Sequence, residues 1–269
     1  MRKNWFFISI ILVAMMTFLS CNSYNKVLKS TDNEMKYQTA ISMYESKDYN
    51  RALQLFDVLQ AAYRGKPESE QIAYYTAECY YKMNDYTVAS HYYKKYVVNF
   101  PFAKNAENAL FRSACCYYLE SPNVSLDQEE SYMAISEFQS FVDLYPNSVL
   151  VDSANQLIDT LRYKIVEKDF NTCMLYYKMD EFQAAITSFE SFIKENPMTS
   201  HREEIMNYMV LTYYNYAEKS VSEKQRERYE LALEKYNTLT YMYPESKYIA
   251  ELEPLVEKIK NELTNFKTK

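Results

Sequence analysis

The sequence predicts an all-α fold, a solenoid of about five helix–turn–helix units followed by a C-terminal capping helix. The first observation is an alanine followed four residues later by an aromatic residue, which recurs at Ala52–Phe56, Ala89–Tyr93, Ala134–Phe138, Ala185–Phe189 and Ala232–Tyr236. The second is a proline twelve residues after the alanine in four of these five units. The third is the single glycine in 269 residues, since tight hairpins and phosphate-binding loops both depend on glycine.

Helix packing explains this register. Residues four apart lie on one face of a helix, so the alanine lets a neighbouring helix approach while the ring fills the space one turn further on. The proline ends the helix because it lacks an amide hydrogen and clashes with the preceding turn. A small residue also stands in the first helix of the unit, as at Ala40 and Ala77. The pattern resembles the tetratricopeptide repeat, a helical hairpin that stacks on its neighbours.

The register also sets the expected boundaries. The solenoid is expected over 33–269, with repeats at about 33–67, 70–103, 107–147, 166–198 and 203–246 and the C-terminal helix at about 247–266. The small residue of the first helix precedes the register alanine by twelve residues in the first two units, Ala40–Ala52 and Ala77–Ala89. The same spacing is twenty residues in the third unit, Ala114–Ala134, and in the fifth, Thr212–Ala232, so both units are expected to carry an eight-residue insertion. A long stretch at 157–178 links units three and four.

The first twenty residues are predicted to be a lipoprotein signal peptide. Arg2 and Lys3 precede an apolar run over 5–19, which is shorter than the roughly 20 residues of a membrane-spanning helix and suits a secretion signal. The run ends Phe18-Leu19-Ser20-Cys21, which resembles the lipobox of bacterial lipoproteins. An uncleaved anchor helix with an incidental cysteine is the alternative.

Cys21 is therefore the predicted lipidation site, and 21–32 is predicted to be the lipidated cysteine and its tether. No acidic cluster follows Cys21, which favours an outer-membrane anchor that faces the periplasm. Removal of 1–20 takes away Arg2 and Lys3 and leaves 28 basic against 36 acidic residues, a net charge of −8. Such a balance argues against nucleic acid as a partner.

The sequence contains none of the common catalytic motifs. The zinc-protease, nucleophile-elbow and glycine-rich phosphate-loop patterns are absent, and the two histidines, His91 and His201, stand at ordinary helix positions. We therefore expect no enzyme, no cofactor and no metal. The cysteines after Cys21 are expected to be buried thiols in first helices, with one or more disulfides as the alternative; they are Cys79, Cys115, Cys116 and Cys173.

Binding is the function that this pattern favours. First helices of a tetratricopeptide solenoid line its inner groove, and aromatic residues with polar tips bind extended peptides well. Twenty-nine tyrosines exceed the number that the packing register uses. The predicted peptide-binding groove consists of Tyr37, Ile41, Tyr44, Tyr74, Glu78, Tyr81, Asn108, Phe111 and Tyr118. Some of these rings turning into the interhelical core is the alternative.

The whole mature chain also resembles a more specific family. A lipobox leads directly into five tetratricopeptide repeats, and the third repeat carries Ser121-Pro122 and Ser125-Leu126-Asp127-Gln128 before an aromatic helix that ends Leu144-Tyr145-Pro146. These features are similar to those of the BamD family, the tetratricopeptide lipoproteins of the outer-membrane β-barrel assembly machinery.

That resemblance implies a non-enzymatic periplasmic subunit. It implies that the C-terminal half binds the periplasmic domains of BamA, alongside other assembly-machinery subunits. The N-terminal half would recognise the C-terminal signals of unfolded outer-membrane proteins. A secretin pilotin or a cell-wall synthesis coordinator with the same fold and anchor remains an alternative, as does a cell-wall hydrolase that uses carboxylates.

Overall fold

The computed structural model describes residues 24–266, and the predicted signal peptide and Cys21 lie outside the described residues. Within 24–266 the chain forms helices and turns and no strand, which confirms the all-α prediction. After a short helical segment at 24–29, the helices are α1 Asn33–Glu45, α2 Tyr49–Ala62, α3 Glu68–Lys82, α4 Tyr86–Asn99, α5 Ala106–Glu120, α6 Glu129–Leu144, α7 Val151–Lys178, α8 Phe182–Glu195, α9 Arg202–Glu218, α10 Ser222–Met242 and α11 Lys247–Asn265.

Successive helices pair into hairpins through short turns. In repeats one, two and four the middle residue of the turn, Lys47, Asn84 or Asp180, has a φ between 59° and 66°. Asp48 and Asp85 then cap the following helix, because each carboxylate accepts a hydrogen bond from the backbone amide three residues later. In repeats one and two, the turn and the cap together let the second helix fold back along the first.

Burial confirms the repeat register. All five register alanines are fully buried, and so are their aromatic partners in the first four units. Tyr236 in the fifth unit is half-buried. The small residues of the first helices are buried as well; they are Ala40, Ala77, Ala114, Cys173 and Thr212. Each hairpin is thus held at the contact that the alanine–aromatic spacing predicts.

The chain divides into two compact units, of which the described parts are 24–161 and 162–266. In the first unit, apolar cores form around Phe56 between α1, α2 and α3, around Tyr93 between α3, α4 and α5, and around Phe138 between α5, α6 and the start of α7.

The second unit contains the rest of α7 and the helices α8 to α11. Its cores form around Phe189 between α7, α8 and α9, and around Tyr229 and Leu239 between α9, α10 and α11. Leu252, Val256 and Ile259 bury one face of α11 against the last repeat, as expected of a capping helix.

The stretch expected as a link at 157–178 belongs to one continuous helix. α7 runs for 28 residues from Val151 to Lys178. Its first part packs in the core around Phe138, and its last part places Cys173 and Met174 in the core around Phe189. The same helix therefore completes the third repeat and supplies the first helix of the fourth.

The stretch expected as a tether is part of the fold from Tyr24 onward. Residues 24–29 are helical, Tyr24 is 6% exposed, and Val27 and Leu28 pack against the core around Phe56. Asp32 caps α1 by accepting a hydrogen bond from the Met35 amide at 2.9 Å. The tether prediction is corrected for these residues, because six helical residues are too few to show a periodic pattern in sequence.

Candidate functional site

The first helices of repeats one to three, α1, α3 and α5, carry the nine residues predicted to line a groove. Equivalent positions recur every 37 residues, so one row holds Tyr37, Tyr74 and Phe111 and a second row holds Tyr44, Tyr81 and Tyr118. Tyr37 and Glu78 are buried, and the other seven residues are half-buried. The spacing thus brings the predicted residues together on one helix face in each repeat.

In the first row, tyrosine hydroxyls bond to the next repeat. Tyr37 donates to Gln71 Oε1 at 2.5 Å, and Tyr74, at the equivalent place one repeat later, donates to Asn108 Oδ1 at 3.1 Å. Each ring belongs to one repeat and its acceptor to the next. These bonds therefore fix α1 against α3 and α3 against α5.

Glu78 is the acceptor for Tyr44 in the second row. Its side chain accepts hydrogen bonds from Tyr44, at 3.1 Å, and from Tyr93 of α4. A buried carboxylate is costly unless its oxygens are paired, and two hydroxyls meet that need. Burial and the charge of Glu78 raise the pKa of Tyr44 and of Tyr93 above the ordinary 10.0. Both hydroxyls therefore stay protonated and can donate hydrogen bonds to Glu78. We call the bonds of Tyr37, Tyr74 and Tyr44 to their acceptors the tyrosine ladder.

Tyr81 is held differently. Cys115 stands where the ladder would need an acceptor, and the guanidinium carbon of Arg112 lies 4.8 Å from the centre of the Tyr81 ring. Burial raises the pKa of Tyr81, and Arg112 partly offsets the rise. Sequence reasoning missed Arg112 because it lies one residue beyond the register position of Phe111. A lone cation among rings on a first helix is the signal that could have indicated it.

Several of the predicted groove residues also belong to the interhelical cores. The Phe111 ring lies 5.6 Å from Phe138 and 5.4 Å from Phe141, centre to centre. Tyr74 lies 5.4 Å from Tyr96 in the same measure, and burial followed by the charge of Glu78 raises its pKa to about 12. Ile41 and Tyr44 pack against the core around Phe56, and Tyr118 against the core around Phe138. The face is therefore a packed aromatic surface on which the hydroxyls of Tyr37, Tyr44 and Tyr74 bond to the next repeat and most of the rings are half-buried.

The cysteines and His201 pack or bond within the fold. The four cysteines of the described chain are free thiols, and burial raises the pKa of Cys79 and of Cys116 to about 12 and of Cys115 to about 11. Thiols in that state are poor nucleophiles at neutral pH. His201 stacks on Phe170 and lies 2.5 Å from a Glu167 oxygen.

Two further properties concern 24–266 only. No group of three or more histidine, cysteine, aspartate or glutamate side chains is placed to hold a metal ion in that part of the chain. None of its helices combines the length and the apolar character needed to cross a bilayer.

The model of the YfiO family, described as outer membrane lipoprotein, matches residues 29–225 and 171–268. The chain belongs to the YfiO family.

Two curated proteins named outer membrane protein assembly factor BamD are similar to this YfiO-family chain. The one from Caulobacter vibrioides is 24% identical over 180 residues, which cover 67% of this chain and 59% of that protein. The one from Rickettsia prowazekii is 22% identical over 230 residues, which cover 84% of this chain and 86% of that protein.

Two solved structures of repeat proteins are also similar to the YfiO-family chain. The tetratricopeptide-repeat domain of P58(IPK) is 12% identical with a TM-score of 0.39, and the match covers 95% of this chain and 70% of that one. A repeat protein from Bacteroides fragilis has the same identity and TM-score, with 86% of this chain and 100% of that one covered.

Proposed function

We propose that the protein is a non-enzymatic, lipid-anchored scaffold of the machinery that inserts β-barrel proteins into the outer membrane. The family match carries this proposal, because it extends through both compact units of the chain. The two relatives named as BamD assembly factors support the same role, and one of them is covered over 86% of its length.

In this role Cys21 is the lipidated residue and the helical repeats face the periplasm. The proposed partners are the periplasmic domains of BamA, bound through the C-terminal half, other subunits of the machinery, and the C-terminal segments of unfolded outer-membrane proteins. A scaffold of this kind needs binding surfaces and no catalytic group. The satisfied hydrogen bonds of Glu78 and the raised thiol pKa values agree with structural roles for these side chains.

The proposed substrate site is the face of α1, α3 and α5 that carries the tyrosine ladder. Segments that alternate apolar and polar residues and end in an aromatic residue would lay their rings against the half-buried edges of Tyr44, Tyr74 and Tyr81. Arg112 places a cation beside Tyr81, which suits a terminal carboxylate. Aromatic anchors with polar tips bind such segments at low entropic cost.

Tyr81 offers the sharpest test of this site because Tyr80 is a matched control. Tyr81 lies on the ladder face, whereas its neighbour Tyr80 stacks on Tyr92 of α4 with ring centres 5.0 Å apart. We expect Tyr81→Ala to weaken binding of a barrel C-terminal peptide by about 2 kcal/mol, or roughly thirtyfold. Tyr80→Ala should leave the affinity nearly unchanged. Fluorescence anisotropy with a labelled peptide measures both, and equal affinities in two folded variants would contradict the proposed site.

A separate experiment tests the assembly partner. Affinity purification of the lipidated protein from outer membranes is expected to recover BamA in stoichiometric amount. Tyr81→Ala should not change that recovery, since the two binding sites are proposed to lie in different halves of the chain. Recovery of a secretin or a cell-wall synthase in place of BamA would show that the protein serves another outer-membrane assembly.

A further inference from the structure

The start of the described chain is fixed to the first repeat. The Tyr24 hydroxyl lies 2.9 Å from Gln54 Oε1 and 3.1 Å from the carbonyl oxygen of Arg51, so its single O–H is shared between these two acceptors of α2. The Arg51 guanidinium carbon lies 5.4 Å from the centre of the Tyr24 ring. With 6% of its surface exposed, Tyr24 is a core residue of the first repeat.

The chain between Tyr24 and α1 is held by packing and by hydrogen bonds. Val27 and Leu28 pack against the first core, and the Ser30 amide donates to the carbonyl oxygen of Val27 at 3.0 Å. The Asp32 amide donates to Ser30 Oγ at 3.0 Å, and Asp32 in turn caps α1. Tyr24, three residues after Cys21 in the sequence, is thus already part of the fold.

Covalent geometry limits the distance between Cys21 and Tyr24. An extended chain spans at most about 3.6 Å per residue, so Tyr24 lies within about 11 Å of Cys21. A flexible segment from Cys21 to Asn33 would reach about 43 Å on the same basis. An acylated Cys21 would thus hold the first repeat close to the membrane surface.

We infer that the first repeat rests on the phospholipid headgroups, with the 24–29 helix at the contact. The inference depends on the proposed lipidation of Cys21. Lys26 and Lys29 are exposed on this helix, and no acidic residue occurs between Asn22 and Thr31. Charges closer than a Debye length of about 8 to 10 Å are incompletely screened, so both lysines can interact with anionic headgroups. The acidic remainder of the chain is repelled, which favours this orientation.

Energy transfer to labelled lipids tests the inference. The mature chain would lack tryptophan, because Trp5 precedes Cys21, so an introduced tryptophan is the sole donor when excitation is beyond the absorption band of tyrosine. Asn50→Trp places it on α2 beside Arg51, and Val149→Trp places it at an exposed position beyond α6. The acylated proteins are reconstituted in phosphatidylethanolamine–phosphatidylglycerol vesicles that contain dansylated headgroups. Mass spectrometry verifies the acyl chains.

We expect strong transfer from Asn50→Trp and much weaker transfer from Val149→Trp. Adding Tyr24→Ala to Asn50→Trp should remove most of the transfer, and circular dichroism checks that the repeats remain folded. Lys26→Gln with Lys29→Gln leaves the packing of Tyr24 untouched and should reduce the transfer in anionic vesicles only. Equal transfer from both reporters in an acylated protein overturns the inference, whereas a mass without acyl chains overturns the anchor on which it depends.

Discussion

Repeats three and five have the same spacing between their register residues, yet they accommodate the extra residues in different ways. In repeat three α5 ends at Glu120 and α6 begins at Glu129, so the insertion is a loop over 121–128. In repeat five only 219–221 separate α9 from α10, and the extra residues extend α10 to a length of 21. Spacing in sequence therefore counts inserted residues without revealing their structure.

The composition of the inserted residues explains the difference. The loop in repeat three begins Ser121-Pro122-Asn123, residues that end helices and favour turns. The start of α10 reads Ser222-Glu223-Lys224-Gln225-Arg226, which consists mostly of strong helix formers. Local propensity decides these segments because neither insertion carries the alanine–aromatic register.

Each insertion is also held by its own contacts. Gln128, with 1% of its surface exposed, donates to the carbonyl oxygens of Asn123 and Leu126 at 2.9 and 3.1 Å and accepts from Ser131 at 2.7 Å. In repeat five, Tyr229 donates to Glu218 of α9. A buried amide thus organises the loop, whereas a hydroxyl–carboxylate bond ties the extended helix to its partner.

Proline substitution should give the largest difference in stability between the loop of repeat three and the extended helix of repeat five. Glu230→Pro breaks α10 behind its extension and is expected to destabilise the protein by about 3 kcal/mol or more. Val124→Pro is the matched control in the loop: Leu126 donates to the Asn123 carbonyl oxygen at 3.0 Å, so Val124 lies in a turn that tolerates proline. Urea denaturation measures both variants. Equal losses would show that the 121–128 loop is as dependent on regular backbone hydrogen bonds as the helix.

Loss of the buried amide should have the next largest effect. Gln128→Leu leaves two loop carbonyls and the Ser131 hydroxyl without this partner, which is expected to cost about 2 kcal/mol. Gln139→Leu on α6 is the control, since Gln139 is exposed and donates to Asp143 at 3.1 Å on the helix surface. The free energy of unfolding and the rate of protease cleavage in 121–128 both report the change. A variant with unchanged cleavage would mean that Gln128 does not order the loop.

The alanine–aromatic register predicted the fold because it encodes contacts between neighbouring helices. It could not predict that α7 is one continuous helix. The positions of the register residues are the same whether one long helix or two shorter helices connect the third and fourth repeats. The docking of Tyr24 was also missed, because it depends on one side chain and has no period.

The candidate site was predictable to a similar depth. The repeat spacing places Tyr37, Tyr74 and Tyr81 on equivalent first-helix positions, which the structure brings together. Their hydroxyl acceptors, the burial of Glu78 and the position of Arg112 over Tyr81 depend on how one repeat meets the next. Such cross-repeat geometry is not contained in the spacing of any single repeat.

The smallest expected effect is a pH dependence of the stability of repeat five. The hydrogen bond from Tyr229 lowers the pKa of Glu218 below its ordinary 4.5, and Lys258 contributes in the same direction. A carboxyl whose pKa is lower in the folded state contributes stability that is present above pH 4.5 and is lost as the pH falls through the folded pKa. Because Glu218 is exposed, solvent screening keeps this contribution small.

Tyr229→Phe removes that bond while it keeps the buried ring. The variant should therefore be less stable than the wild type at neutral pH, and the difference between their melting temperatures should shrink on acidification below about pH 4.5. Tyr241→Phe, an exposed tyrosine on the same helix, is the control and should follow the wild type at every pH. If the difference between wild type and Tyr229→Phe stays constant down to acid pH, the Tyr229 hydroxyl stabilises the extended helix without acting through the charge of Glu218.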